Sequence, residues 1–364
     1  MSPAALRRQI GQLLVAGFNG HQIPPELRSL AKEFGLGGVI LFARNVVEPE
    51  QVAEVCFDAS RLTPELPPWV SIDQEGGRVA RLKAPFTVWP PMATLGRSGD
   101  TQLAERFARA LATELKAVGI TLDFAPVLDV LTNPKNPAIG DRAISDKVET
   151  VTKLGRILIE TLQSNGIAAS GKHFPGHGEA AVDSHHELPI CDLPPDRLRA
   201  VELTPFRAAI EARVAFMLTA HVLFPALDEE HPATLSRPIV AGLLREELKY
   251  DGAILTDDLD MGAIATRYTI DDAVVRAINA GCDGLLICGG DYDKKAVALE
   301  ALIRAVEDEV IPVKRVEDAF ARLQRAKERF LVTRKPWRPD ARTIRASIGL
   351  AEYQAIAEEM ARFL

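Results

Sequence analysis

The sequence predicts an α/β protein, a single (β/α)8 TIM barrel with a C-terminal helical extension. Three observations carry that prediction. Short apolar or β-branched runs alternate with helical patterns along the chain, as in a parallel sheet covered by helices. The runs number eight, the count at which such a sheet closes on itself. Polar residues gather just after the runs, at the strand ends where barrel loops carry chemistry.

The elements follow in order. Arg7 and Arg8 lie in an amphipathic stretch leading into the first apolar run at 13–18. That run is too short for a signal-peptide core, and no convincing cleavage site follows it. Further runs fall at 38–42, 69–73, 121–125, 168–172, 215–220, 253–257 and 284–288. Helical patterns lie between them at 101–117, 149–165, 194–211 and 271–280, with another at 294–309 after the last run. A Rossmann sheet would need a glycine fingerprint opening a helix, whereas Gly35-Leu36-Gly37-Gly38 leads into a strand. Beyond Val313 the chain reads as helical, broken at Pro336 and Pro339, with a last helix over 350–364. The expected division is a catalytic barrel over 1–335 and a helical extension over 336–364 packed on its outside.

Composition excludes several classes of function. The 364 residues include 43 basic and 50 acidic side chains, a net charge of −7 with no basic run, which argues against a nucleic-acid surface. No apolar run is long enough to span a bilayer, so no membrane role is expected. Cys56, Cys191, Cys282 and Cys288 are scattered, with no CxxC pair. They read as reduced thiols of a cytoplasmic protein.

The most informative segment is Lys172-His173-Phe174-Pro175-Gly176-His177-Gly178, followed by Asp183-Ser184-His185-His186. It stands where a short buried strand ends. Asp183 and His185 are two apart, so one loop lets a carboxylate buttress an imidazole, a pair suited to proton transfer near neutral pH. Other strand ends supply Asp73-Gln74-Glu75-Gly76-Gly77-Arg78-Val79-Ala80-Arg81, Asp123 to Asp129, Gly140-Asp141-Arg142, Thr219-Ala220-His221 and Thr256-Asp257-Asp258-Leu259-Asp260. Arginines, a lysine and many carboxylates on one rim suit a hydroxyl-rich substrate.

Each signal has a plainer reading. A lone strand-end aspartate is more often a helix cap, and Asp258 and Asp260 fit that role. His221 reads equally well as a hydrogen-bonded core histidine. Gly76 and Gly77 supply a tight loop, and His186 reads as exposed. Their joint occurrence at successive strand ends favours a site. Metal binding is the rival for the histidines, since His173 and His177 stand four apart. Pro175-Gly176 prevents the helix that spacing needs, Lys172 repels a cation, and no thiolate is near. A phosphate-binding GxxxxGK[ST] loop and a GxSxG elbow are both missing from the sequence.

Together with Gly38-Val39-Ile40-Leu41-Phe42-Ala43-Arg44-Asn45, these motifs resemble glycoside hydrolase family 3, in particular its single-domain bacterial β-N-acetylglucosaminidases of cell-wall recycling. The resemblance runs from about residue 8 to residue 330, in the family's order. It departs at Ala143-Ile144, where such enzymes often carry a serine and an aromatic. The resemblance implies a retaining double displacement without metal or organic cofactor. Asp257 would be the nucleophile, His185 the acid/base and Asp183 its partner. Asp73, Arg81, Arg142, Lys172 and His173 would bind the sugar. The implied substrate is a carbohydrate, a muropeptide fragment bearing N-acetylglucosamine. The glycine-bearing loop of His185 is expected to move over bound sugar. Three other readings stay open: substrate-assisted hydrolysis through the Asp257-Asp258 pair, phosphorolysis, and a sugar-binding barrel without turnover.

Overall fold

The computed structural model describes residues 2–63, 66–331, 338 and 340–364. Eight parallel strands close in sequence order: β1 (Leu14–Gly17), β2 (Gly38–Leu41), β3 (Trp69–Ile72), β4 (Leu122–Asp123), β5 (Ala168–Phe174), β6 (Phe216–Thr219), β7 (Ala253–Asp258) and β8 (Gly284–Ile287). Barrel strands are covered by helices outside and side chains inside, so they read as unbroken apolar runs. Every residue of β1, β2, β3, β6 and β8 is buried. Closure depends on a residue without a side chain: a Cβ on Gly17 would stand 2.0 Å from the Cys288 carbonyl oxygen. Trp69, at the start of β3, packs edge-on against Phe216 at the start of β6, with ring centroids 5.1 Å apart. Phe330, ending the helix Val313–Phe330, approaches the same indole, with centroids 6.3 Å apart, so these rings fill the N-terminal end of the barrel.

Several expected elements differ in extent, three of them as follows. β4 is shorter than 121–125 because Pro126 has no N–H to donate, and pairing resumes only at a bridge between Val127 and Lys172. The pattern over 194–211 is two helices, Pro195–Ala200 and Thr204–Glu211. Pro205 sits in the first turn of the second, where its missing N–H is harmless but forbids a continuous helix. β5 runs two residues past the expected 168–172, carrying His173 and Phe174 into the sheet. Elsewhere the helix Thr101–Ala117 starts as its sequence demands, with Asp100 accepting from the N–H groups of Gln102 and Leu103.

The C-terminal helices lie on the outside of the barrel. Ala341–Arg345 packs beside Pro49–Ser60, and Ala351–Ala361 packs against Ala93–Ser98 and Thr101–Ala117. The latter buries Tyr353, Ile356, Ala357 and Met360. Pro336, Pro339 and the 335/336 boundary lie outside the described residues. Among the described residues no helix is long and apolar enough to cross a membrane.

A buried carboxylate helps tie the extension to the barrel. Glu114, buried in Thr101–Ala117, accepts from Thr87 N and Oγ1 at 2.9 Å, Gly349 N at 2.8 Å and Trp89 Nε1 at 3.2 Å. Removing it strands several buried donors, so Glu114→Ala should destabilise the fold by roughly 3–5 kcal/mol. Urea denaturation reads this directly; a loss under about 1 kcal/mol would mean that other acceptors replace the carboxylate.

Candidate active site

The C-terminal ends of the strands surround a cavity of about 390 Å³. Its lining includes all eight residues marked by the sequence: Asp73, Arg81, Arg142, Lys172, His173, Asp183, His185 and Asp257. Two strands reach it irregularly. β5 slips register between Gly171 and Phe174, and β7 between Leu255 and Asp258. In a regular strand neighbouring side chains point to opposite faces. The irregularities let both Lys172 and His173, and both Asp257 and Asp258, line the cavity.

One wall is an ion network. The Lys172 ammonium lies 2.8 Å from Asp73 Oδ1 and 2.6 Å from Glu75 Oε1, with the lysine and Glu75 both buried. Arg142 grips Glu75 as a fork, Nε to Oε2 at 2.9 Å and Nη2 to Oε1 at 2.8 Å, and its Nη1 donates to the Ala138 carbonyl. Arg81 completes the network at 3.3 Å from Asp73 Oδ2, with its guanidinium over the Phe42 ring. Burial opposes the Glu75 charge, but Arg142 and Lys172 outweigh it and hold the carboxyl far below its ordinary range. Beneath this network Asp123 goes the other way. Burial, reinforced by Asp73 and Glu75, raises its carboxyl well above the usual range, against the Gln74 N–H and Lys172. Ala143 and Ile144, the departure from the family pattern, are both buried apolar packing.

The histidines divide into distinct roles. His173 Nδ1 pairs with Asp129 Oδ2 at 2.7 Å, while Asp129 Oδ1 accepts from the backbone N–H of His173 and His177. This fixes the His173 ring at the cavity wall. His177 is buried, and burial together with His173 lowers its imidazole to about 4, so it is neutral; its Nε2 meets Ser184 Oγ at 3.1 Å. His221 is also held neutral by burial, its Nε2 donating to the Asp258 carbonyl at 2.9 Å and its Nδ1 facing Thr234 Oγ1 at 2.7 Å. It is both a core histidine and a support of the Asp257-Asp258 turn. His186 is exposed, as its sequence context suggested.

His185 sits at the mouth, with 60% of its side chain exposed, and its Nδ1 meets Asp183 Oδ1 at 2.7 Å. The same oxygen accepts the His185 backbone N–H at 3.0 Å. Burial opposes the Asp183 charge, yet these contacts hold the carboxyl below its ordinary range. The loop is pinned where β7 turns into the helix Gly262–Ala265: Gly262 N and Ala263 N donate to the carbonyls of His185 and Ser184. Asp257 is likewise ionised. Burial pushes its carboxyl up, but His173, the Asp258 N–H at 2.8 Å and Lys172 outweigh it. Asp258 differs: burial raises it to about 6, only partly offset by the Cys288 and Asp260 N–H groups that it accepts.

Sequence reasoning did not single out Glu75, Asp129 or Ser184 as site residues. Glu75 stood in the Asp73 to Gly77 run and Asp129 at the end of the Asp123 loop. An acid beside paired glycines after a strand was the available signal for Glu75.

Glu75 also sets a pH dependence. Its folded-state value lies below the unfolded one of about 4.3. Its pairing therefore stabilises the fold above that pH and is lost as pH falls through the folded value. Glu75→Gln should cost roughly 3–5 kcal/mol at pH 7, because buried Arg142 loses its anion and Lys172 one of its two. The gap between variant and parent should narrow as pH falls from about 5 towards 2. A gap independent of pH would remove Glu75 as the titrating group.

Comparison with known proteins follows the same lines. The pattern described as "Glycosyl hydrolase family 3 N terminal domain" matches residues 5–326. β-Hexosaminidase A of Pseudoalteromonas piscicida is 39% identical over 282 residues, covering 72% of this chain and 47% of that protein. The β-hexosaminidase of Pseudomonas aeruginosa is 38% identical over 295 residues, covering 80% of this chain and 86% of its own. A family 3 β-N-acetylglucosaminidase from a Paenibacillus species superposes with a TM-score of 0.93 at 41% identity, over 98% of this chain and 68% of that one. NagZ from Neisseria gonorrhoeae, solved with N-trifluoroacetyl-D-glucosamine, gives 0.77 at 30% identity, over 97% of this chain and 98% of that one. The chain belongs to glycosyl hydrolase family 3 and is a glycosidase.

Proposed function

We propose that the protein is a retaining, exo-acting β-N-acetylhexosaminidase that works through a covalent glycosyl-enzyme. The observation that carries this reading is the His185–Asp183 pair at the mouth of the cavity that the ionised Asp257 also lines. Asp257 attacks the anomeric carbon while protonated His185 gives its proton to the departing glycosidic oxygen. The C–O bond to the aglycone breaks and a bond to Asp257 forms. Neutral His185 then takes a proton from water, whose oxygen displaces Asp257. Two inversions give net retention. Asp183 orients the ring for both proton transfers.

Asp73, Lys172, Arg142, Arg81 and His173 hold the sugar. With His173 Nδ1 committed to Asp129, its Nε2 remains for a hydroxyl. The relatives' names support the aminosugar, and NagZ was solved with an N-acylated glucosamine. The proposed natural substrate is N-acetylglucosamine β-linked to an anhydro-muramyl residue, within peptidoglycan recycling. A cytoplasmic setting is supported by the four cysteines, all free and buried. Phosphorolysis is the second reading: His185 stands where a carboxylate would repel phosphate, so phosphate competes with water as acceptor.

Proton NMR of an aryl β-N-acetylglucosaminide separates the two. Hydrolysis gives β-N-acetylglucosamine first, at a rate indifferent to phosphate; dominant sugar 1-phosphate would establish the phosphorylase. An α product appearing first would overturn the double displacement.

Asp257→Ala should lower kcat by roughly 10⁴-fold or more with the fold intact. Turnover near the parent level would take the nucleophile's role from it. His185→Ala should cost about 10²–10⁴-fold on poor leaving groups and much less on activated aryl glycosides, which need no protonation. Equal losses on both would point to another acid.

A further inference from the structure

We propose that a second site, at the N-terminal end of the barrel and remote from the catalytic cavity, binds a small polyanion of the diphosphate class. A cavity of about 350 Å³ opens between the starts of β6 and β7 and the helix Val313–Phe330. Five cationic side chains line it, Arg213, Lys249, Arg322, Arg325 and Arg329, against one carboxylate, Asp251.

Little of this charge is neutralised. Asp251 is engaged by Arg325 at 3.1 Å. The next acid inward, Asp283, is fully buried and already shared by Arg245 at 2.7 Å, Arg315 at 3.0 Å and Arg322 at 3.1 Å. Arg322 Nε is buried with no hydrogen-bond partner. Among the described residues, Arg213, Lys249 and Arg329 have no acidic partner, and Arg329 donates to the Arg213 carbonyl at 2.9 Å. Burial lowers Arg329, and the neighbouring Arg213 charge lowers it further. A protein of net charge −7 thus gathers mutually repelling cations in one concavity, where field lines focus on an anion.

The backbone places two of these cations at a cost. Arg213 and Lys249 follow the helices Thr204–Glu211 and Pro238–Glu247, with φ of 53° and 57°. That left-handed position after a helix favours glycine. Glycine takes it after two earlier helices, as Gly119 and Gly166, with φ of 88° and 83°; Glu309 shares the strained form elsewhere. A cation at a helix C-terminus complements the helix dipole, which accounts for one charge per helix. It does not account for both converging on Arg325 and Arg329 of a third helix. Guanidinium forks fit phosphate oxygens two at a time, and the three cations without an acidic partner exceed the roughly two charges of one monophosphate.

The test is calorimetric titration of the full chain with inorganic pyrophosphate at low ionic strength, with orthophosphate and citrate in parallel. Pyrophosphate should bind roughly 10-fold or more tightly than orthophosphate, and more weakly as salt rises. The double variant Arg213→Gly/Lys249→Gly removes two charges and places glycine where the backbone favours it. It should keep its melting temperature and glycosidase turnover while losing at least about 10-fold in pyrophosphate affinity. Arg325→Gln/Arg329→Gln, changed on an exposed helix face, should show the same loss and guards against misfolding of the first pair. No pyrophosphate binding at millimolar concentration would overturn the proposal. So would parental affinity in both variants, which would move the anion to another cation cluster such as the catalytic cavity. Citrate binding as tightly as pyrophosphate would overturn the phosphate assignment.

Discussion

The catalytic end of this barrel depends on one buried carboxylate. Glu75 lies between the Arg142 fork and the Lys172 ammonium, with contacts of 2.6–2.9 Å. Without it two cations would sit desolvated and repelling each other, and neither strand end would keep its position. With it, Lys172 is fixed and still has contact to spare for Asp73. The cations are thereby held along the cavity wall, where they are proposed to meet the sugar. Buried ion pairs rarely add net stability over apolar packing. This one is better understood as holding the loops after β3 and β4 and the strand β5 in a single geometry.

The proposed acid/base and the proposed nucleophile sit in opposite electrostatic settings. Asp257 lines the cavity and is kept ionised against burial, which suits the nucleophile's part proposed for it. His185 is at the mouth, largely exposed, and tied to a carboxylate that stays charged. Ordinary retaining enzymes separate two carboxyl roles by environment. Here the separation is by residue type as well as by depth. Asp258, next to the nucleophile and raised to about 6, shows how differently adjacent aspartates behave once their donors differ.

The barrel was legible because its strands are buried on both faces, so β1, β2 and β8 read as continuous apolar runs bounded by polar loops. The site was legible because strand ends must converge once a barrel closes. What stayed hidden are properties of convergence itself. Nothing local to Glu75 says that a lysine 97 positions later will neutralise it. Asp129 drew no role of its own because its partners, His173 and His177, become neighbours only when the segments after β4 and along β5 come together. The errors of extent have local causes that pattern-reading underweights. Pro126 removes a donor from β4 and Pro205 restarts a helix. The segment Pro238–Glu247 is wound as a π-helix, a choice no periodicity announces.

The loop that carries His185 is built against the segment that follows Asp257. Ser184 and His185 offer their carbonyls to Ala263 and Gly262, and Ser184 also reaches back to His177 at the end of β5. A side chain on Gly262 would press within 2.5 Å of the His186 carbonyl oxygen, so the close approach requires glycine there. Any excursion of the loop must therefore break two backbone hydrogen bonds together, each modest in water because the solvent replaces it. The packing thus sets the loop of His185 against the same backbone segment that leads on from Asp257.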